Sequence, residues 1–255
     1  MTSADGKELT GEAACAALNS RQGWNADLTA LGVPPPVYRE LRKQPGRPAT
    51  WPAQPSPEWH VQHPRPAVFT IFAGTHEGNT ARGGGEFYPN PDNRYGRAMI
   101  STKFAPVLIL KGKMPLTPKT FNGDRKMGGG QLRYWSLCSN QSMVNSRVVD
   151  CVYDEQVPVD AERNYTIILS KLKDRPRNAI AACALAWVRL PDDGDGLDDP
   201  DFSLLVLRNM LAAPSFAQSL QNALDDKDLA KVGDYLPKGQ YEMPNVVETL
   251  YTCGG

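Results

Sequence analysis

Proline decides where this chain can and cannot build regular structure. Ten of its 22 prolines fall between residues 34 and 66. Each ring fixes φ and removes a backbone donor, which opposes a helix interior and a central strand alike. The stretch therefore reads as an extended segment packed over a domain surface, with Trp51 and Trp59 as apolar anchors. Ahead of it, Thr10 can cap a helix holding Ala13, Ala14, Ala16, Ala17 and Leu18, and a second helical stretch holds Val37, Tyr38 and Leu41. Residues 1–66 are thus a helical, then Pro-rich lead-in packed on the domain, and residues 67–255 a β domain with C-terminal helices.

The character changes at Ala67. Val68–Phe72 is β-branched and aromatic, and a Gly-rich loop follows over Thr75–Gly85. Arg97–Ser101, Val107–Leu110, Leu132–Ser139, Val148–Tyr153, Tyr165–Ser170, Cys183–Arg189 and Phe202–Leu211 read as further strands. The run Val107-Leu108-Ile109-Leu110 is apolar without alternation, which suits a buried sheet. Gly123 and the run Gly128-Gly129-Gly130 mark turns, residues 191–201 form an acidic turn-rich loop, and short helices fit Phe216–Leu224 and Asp226–Val232. Strands at this turn-rich spacing predict a mainly β fold: an antiparallel β-sandwich, jelly roll or barrel with short N- and C-terminal helices.

Charge excludes some partners. Lys plus Arg (28) balances Asp plus Glu (28), with no basic run, so nothing draws nucleic acid or an acidic membrane. No run of about 18 apolar residues is present, so no membrane span is expected. The start, Met1-Thr2-Ser3-Ala4-Asp5-Gly6, lacks a basic n-region and an apolar h-region. As written this is a cytoplasmic start, although an initiating Met in place of a removed signal peptide would look the same and leave export open. The five cysteines, Cys15, Cys138, Cys151, Cys183 and Cys253, include no CxxC pair. Buried free thiols suit the cytoplasm, and this is the expectation taken. Bonds Cys138–Cys151 and Cys183–Cys253 would instead mark an oxidising compartment, and the 13-residue gap of the first pair fits adjacent strands.

Several residues resemble known proteins. Pro89-Asn90-Pro91-Asp92-Asn93-Arg94-Tyr95, with the apolar strand ending at Lys113-Met114-Pro115, resembles a block of the DUF1254 domain. Arg133-Tyr134-Trp135-Ser136-Leu137, Asn164–Ser170, Ala186-Trp187 and Phe202–Arg208 are similar to the successive strands of the DUF1214 domain. "RYWSLC", "VDCVYDEQVPVDA" and "DRPRNA" also resemble segments shared by a set of actinobacterial hypothetical proteins. The resemblance spans roughly residues 87–210. It implies a β-sandwich or jelly-roll architecture and no particular activity.

Motifs for chemistry are sparse. His60, His63 and His76 are the only histidines. The first two lie between Pro57 and Pro64, where no helix can bring them to one face, so no metal site is expected. Asp193-Gly194-Asp195-Gly196-Leu197-Asp198 loosely resembles a calcium loop but lacks EF-hand spacing and a closing Glu, and reads as a solvated turn. No G-x-S-x-G elbow, Walker A loop or G-x-G-x-x-G is present, so no nucleotide or flavin cofactor is implied. The carboxylates Asp150, Asp154 and Glu155 suit either an acid–base pair or a solvated strand edge.

The richest polar cluster is Asn90, Asp92, Asn93, Tyr95 and Arg97, at the start of a strand. It organises a turn through its Asn and Asp side chains, or it aims Tyr95 and Arg97 into a pocket. Arg133 and Arg208 sit on densely apolar strands, where a charge lies at the rim or is paired inside. Taken together these predict a small-molecule-acting β protein: a cofactor-free enzyme of cyclase, isomerase or lyase type. Tyr95, Arg97 and Arg133 would be its catalytic donors, and Asn90, Asp92, Asn93, Tyr134, Trp135, Trp187 and Arg208 would line a pocket for a small apolar or amphipathic molecule. Trp51 and Trp59 would then cover the opening as a lid. The alternative is a non-catalytic ligand-binding or structural module, exported and disulfide-stapled.

Overall fold

The computed structural model describes residues 53–61, 92–142, 147–196 and 199–253. The expected helices of residues 8–44, the strand Val68–Phe72, the Gly-rich loop that follows it, and Cys15, Trp51, His63, His76 and Asn90 lie outside the described residues.

Among the described residues, nine strands build two facing sheets. They are β1 (Trp59–Val61), β2 (Asn93–Ser101), β3 (Val107–Lys113), β4 (Leu132–Asn140), β5 (Val148–Tyr153), β6 (Asn164–Ser170), β7 (Ala186–Arg189), β8 (Phe202–Ala212) and β9 (Lys238–Glu242). One sheet runs β1-β2-β8-β4-β5 and is antiparallel throughout; the other runs β7-β6-β3-β9, with β6 and β7 parallel. The architecture is a sandwich, not a closed barrel.

Alternation along the strands makes the core. Ala98 and Ile100 of β2, Trp135 and Leu137 of β4, and Leu205 and Leu207 of β8 face Leu108 and Leu110 of β3, Ile167 and Leu169 of β6, and Ala186 and Val188 of β7. The residues between these point away from the core. On β3 the outward pair, Val107 and Ile109, is buried too. It lies with Ile168, Ala179, Cys183, Leu185 and Val247 in a second cluster on the outer face of the four-stranded sheet. A central strand covered on both faces has no reason to alternate, which explains the unbroken apolar run.

What covers that face is the C-terminal helix α1 (Pro244–Leu250) together with the loop before β7. Three links hold them. Asn178 donates through Nδ2 to the carbonyls of Val247 and Tyr251, Arg177 pairs with Glu248 at 2.7 Å, and Cys183 is disulfide-bonded to Cys253. A second disulfide joins Cys138 to Cys151, directly opposite across the β4–β5 ladder, with Cα atoms 4.1 Å apart. The free-thiol expectation for these four cysteines is therefore corrected: the strand register and the C-terminal cap bring both pairs within bonding geometry.

The prolines act as expected in one place and not in another. Residues 59–61 do form a strand, but an edge strand, where a ring on either side removes no ladder bond. Trp59 is buried in the core, with its indole N–H donating to the Pro237 carbonyl at 2.6 Å, so the reading of Trp59 as a lid is corrected. The lead-in contributes a piece of the sandwich. Strand β9 and helix α1 were not expected from the sequence, while the helices expected over 216–224 and 226–232 appear as 3₁₀ turns at Leu220–Asn222 and Asp226–Tyr235.

Candidate functional site

The residues singled out for chemistry do not all converge on one site. Tyr95 and Arg97 of β2 share the outer face of the five-stranded sheet, and the register sets Tyr95 opposite Arg208 and Arg97 opposite Val206. Arg208 donates to the Tyr95 hydroxyl at 2.6 Å and lies over its ring, 5.0 Å from the centroid. The two side chains thus satisfy each other. Arg97 is buried at 4% exposure and Asn93 at 6%, whereas Asp92 is exposed.

Strand β4 separates its three candidates. Trp135 points into the core and is fully buried, and Tyr134 points out and stacks on Tyr153 at 6.4 Å. The side chain of Arg133, half-buried near the start of the strand, makes no hydrogen bond or ion pair among the described residues. Trp187 lies on the opposite sheet, on the outer face of β7. The Arg175 guanidinium stacks on its ring at 4.1 Å and Ser170 accepts from its indole N–H at 3.1 Å. It is half-buried, not a core residue, because β7 turns it away from the facing sheet. One aromatic-lined pocket holding Tyr95, Tyr134, Trp135 and Trp187 would need residues from three different surfaces.

The other motifs are used for structure. Asp150 accepts from the backbone N–H of Cys151 at 2.9 Å and of Arg189 at 2.8 Å, joining β5 to β7 across the open side of the sandwich. Glu155 accepts from the Phe121 N–H and the Asn122 amide. Burial pushes the Asp154 carboxyl above its ordinary value, against hydrogen bonds that lower it. In the acidic loop, Asp195 is fully buried and accepts from the Asp199 N–H at 3.0 Å, and the buried Lys171 ammonium donates to the carbonyls of Pro200 (2.7 Å) and Asp192 (3.3 Å). A side chain of Gly194 would overlap the Asp199 carbonyl, so this turn requires glycine. His60 pairs through Nδ1 with Asp226 at 2.8 Å, and Asp226 also accepts from the Val61 N–H at 2.7 Å.

A concave surface lies elsewhere, on the outer face of the four-stranded sheet beside α1. It is a half-open cleft of about 640 Å³. Ile109 lies in its floor, Ala184, Leu185 and Tyr251 in its walls, and Lys111, Thr166, Lys238 and Gln240 bring polar groups from three adjacent strands. Asp160, Asn164 and Asp234 complete the rim. Asp160 accepts from the backbone and side-chain amides of Asn164, at 2.7 and 3.0 Å, and those bonds hold its carboxyl below the ordinary range. Ala184 adopts the left-handed conformation at φ 56° in the wall, a conformation uncommon for a residue with a Cβ. The cleft takes none of the ten residues proposed from the sequence. Lys111 carried one signal, a charge breaking an apolar strand; Lys238 and Tyr251 carried none, because neither β9 nor α1 was expected.

No helix among the described residues is long and apolar enough to cross a membrane. No family model and no curated protein matches the chain. Among solved structures the chain is similar to an uncharacterized protein from Burkholderia cenocepacia, at 14% identity and a TM-score of 0.38. The match covers 91% of this chain and 43% of that one, so this chain spans less than half of that protein's length.

Proposed function

We propose that this chain is the ligand-binding β-sandwich of an exported, disulfide-stapled protein, and that it takes a small amphipathic molecule in the cleft beside α1. One observation carries the reading: the Cys183–Cys253 bond anchors the cleft wall, since Cys183 lines the cleft and Tyr251 stands two residues before Cys253. A wall fixed in advance lowers the entropy cost of ordering a site on binding. The volume lies within the range typical of small-molecule sites, about 300–1,000 Å³. Binding is favoured over catalysis because none of the expected donors Tyr95, Arg97 and Arg133 lines the cleft, and the Tyr95 hydroxyl is engaged by Arg208. On the residues quoted above we place the chain beside the DUF1254 and DUF1214 β domains.

Titration with Nile red, an uncharged amphipathic dye, tests the reading. The oxidised protein is expected to bind one equivalent saturably. Leu185→Arg, which puts a charged side chain into the wall, is expected to abolish the signal. Binding without saturation, or undiminished in Leu185→Arg, would overturn the assignment of the cleft.

A further inference from the structure

The cleft contains an arrangement that stability alone disfavours. The β3–β9 register sets Lys111 directly opposite Lys238. Both line the cleft, so both ammonium-bearing side chains stand on the same face of the same ladder. Like charges directly opposite each other on adjacent strands repel. Two carboxylates, Asp160 and Asp234, line the same cleft. Yet among the described residues neither ammonium lies within ion-pair distance of one. Asp160 is occupied by Asn164 and sits by Lys113, and Asp234 makes no ion pair among the described residues. What Lys111 does meet is the Tyr251 ring, with Nζ 5.3 Å from the centroid. That contact leaves the donors of the ammonium available.

Apolar groups lie next to the two lysines. Ile109 precedes Lys111 on the same face, and Leu185 and Tyr251 rise beside it. A ligand lying on this surface meets two cations at one end and aliphatic and aromatic groups at the other. We infer that the cleft selects an amphipathic anion: a single carboxylate or phosphate head held between Lys111 and Lys238, and an apolar body lying over Ile109 and against Leu185 and Tyr251. Thr166, opposite Lys111 on the other side, adds a hydroxyl donor to the head-group end. The anion supplies the counter-charge that the strand pair lacks. This inference rests on the cleft being the binding site proposed above and adds the chemical class of what enters it.

Isothermal titration of the oxidised full chain with decanoate, decanol and decylamine decides it. All three carry the same apolar body, so only the head group differs. Solvent-exposed ion pairs are individually weak, and two together are expected to make decanoate bind about tenfold tighter than decanol, with decylamine weakest. The decanoate-to-decanol ratio is expected to collapse towards one in Lys111→Gln/Lys238→Gln, and to fall with added salt. Octyl phosphate against octanol, run in the same way, separates a preference for phosphate from one for carboxylate within the same class. Equal binding of decanoate and decanol, or tighter binding of decylamine, overturns the anion inference and leaves the cleft standing as a site. Failure of all three to bind overturns the cleft and the inference together.

Discussion

At the scale of single residues, Trp135 is the largest fully buried side chain among the described residues, its ring tilted against that of Tyr165 with centroids 5.4 Å apart. Its indole N–H and the Tyr165 hydroxyl are both buried with no hydrogen-bond partner among the described residues. The two therefore contribute through area and ring packing and not through their polar ends. Trp135→Ala is expected to lower stability by about 3–5 kcal/mol in urea melts, while Trp187→Ala, at a half-buried position packed on the outer cluster, should cost less than that in the same melts. Tyr165→Phe isolates the polar end. Burial pushes this phenol far above its ordinary pKa, and the hydroxyl sits over Gly112, where a side chain would collide with it. Removing an unpartnered buried hydroxyl is expected to leave stability unchanged or raise it by up to about 1 kcal/mol; a loss greater than that in the same melts would show that the hydroxyl has a partner.

The burial of Trp135 was legible in the sequence, because a large ring mid-strand among apolar neighbours contributes most when buried. The partition of Arg133, Tyr134, Trp135 and Trp187 among three surfaces was not. It depends on which strands face each other, and a sequence gives each strand two faces without saying what lies against either. Cys138 and Cys151 show the middle case: their spacing allowed adjacent strands, and only the observed register sets them opposite each other.

Among the elements, α1 is the one attached by side chains more than by its own length. A helix of seven residues is too short to be stable alone. Arg177 holds it through Glu248, by side-chain and backbone donors that lower the glutamate carboxyl from its ordinary 4.5 to about 2. The sign follows from that direction. A carboxyl more acidic when docked than when released favours docking above pH 4.5, and the contribution is lost as pH falls through 4.5 towards 2. Carboxyl ¹³C chemical shifts should report a Glu248 midpoint near 2 in the intact protein, moving back towards 4.5 in Arg177→Ala. An unshifted midpoint in that variant would mean that Arg177 is not the cause. Elements of this kind leave little trace in sequence. The segment 238–250 has neither long alternation nor a capping residue, and Met243 before α1 offers no side-chain cap. Tertiary contacts supply what local signals do not.

For the whole molecule, the cysteines give the compartment a countable readout. Four of the five are in bonds, leaving Cys15. Thiol titration of protein purified from an oxidising compartment, denatured without reductant, is expected to find one free group. Five would show that both bonds are absent from the natural protein and would remove the support for export. The two staples secure different parts of the sandwich, an edge ladder and the C-terminal cap, so their removal should act almost additively on stability.

The contact between Trp59 and the Pro237 carbonyl spans 178 residues of chain. β3, near the middle of the sequence, likewise takes β9 as its neighbour on one side. A ribosome makes the chain in order, so the strand containing Trp59 exists long before the segment that accepts its indole N–H. Until residues 237–242 emerge, β3 presents an unpaired edge and Trp59 has no acceptor. Loops this long close slowly, and a half-made sandwich with an open edge invites pairing with other chains. The sandwich is therefore closed by a segment made long after the strands it pairs with, and the nascent chain carries an open edge in the meantime.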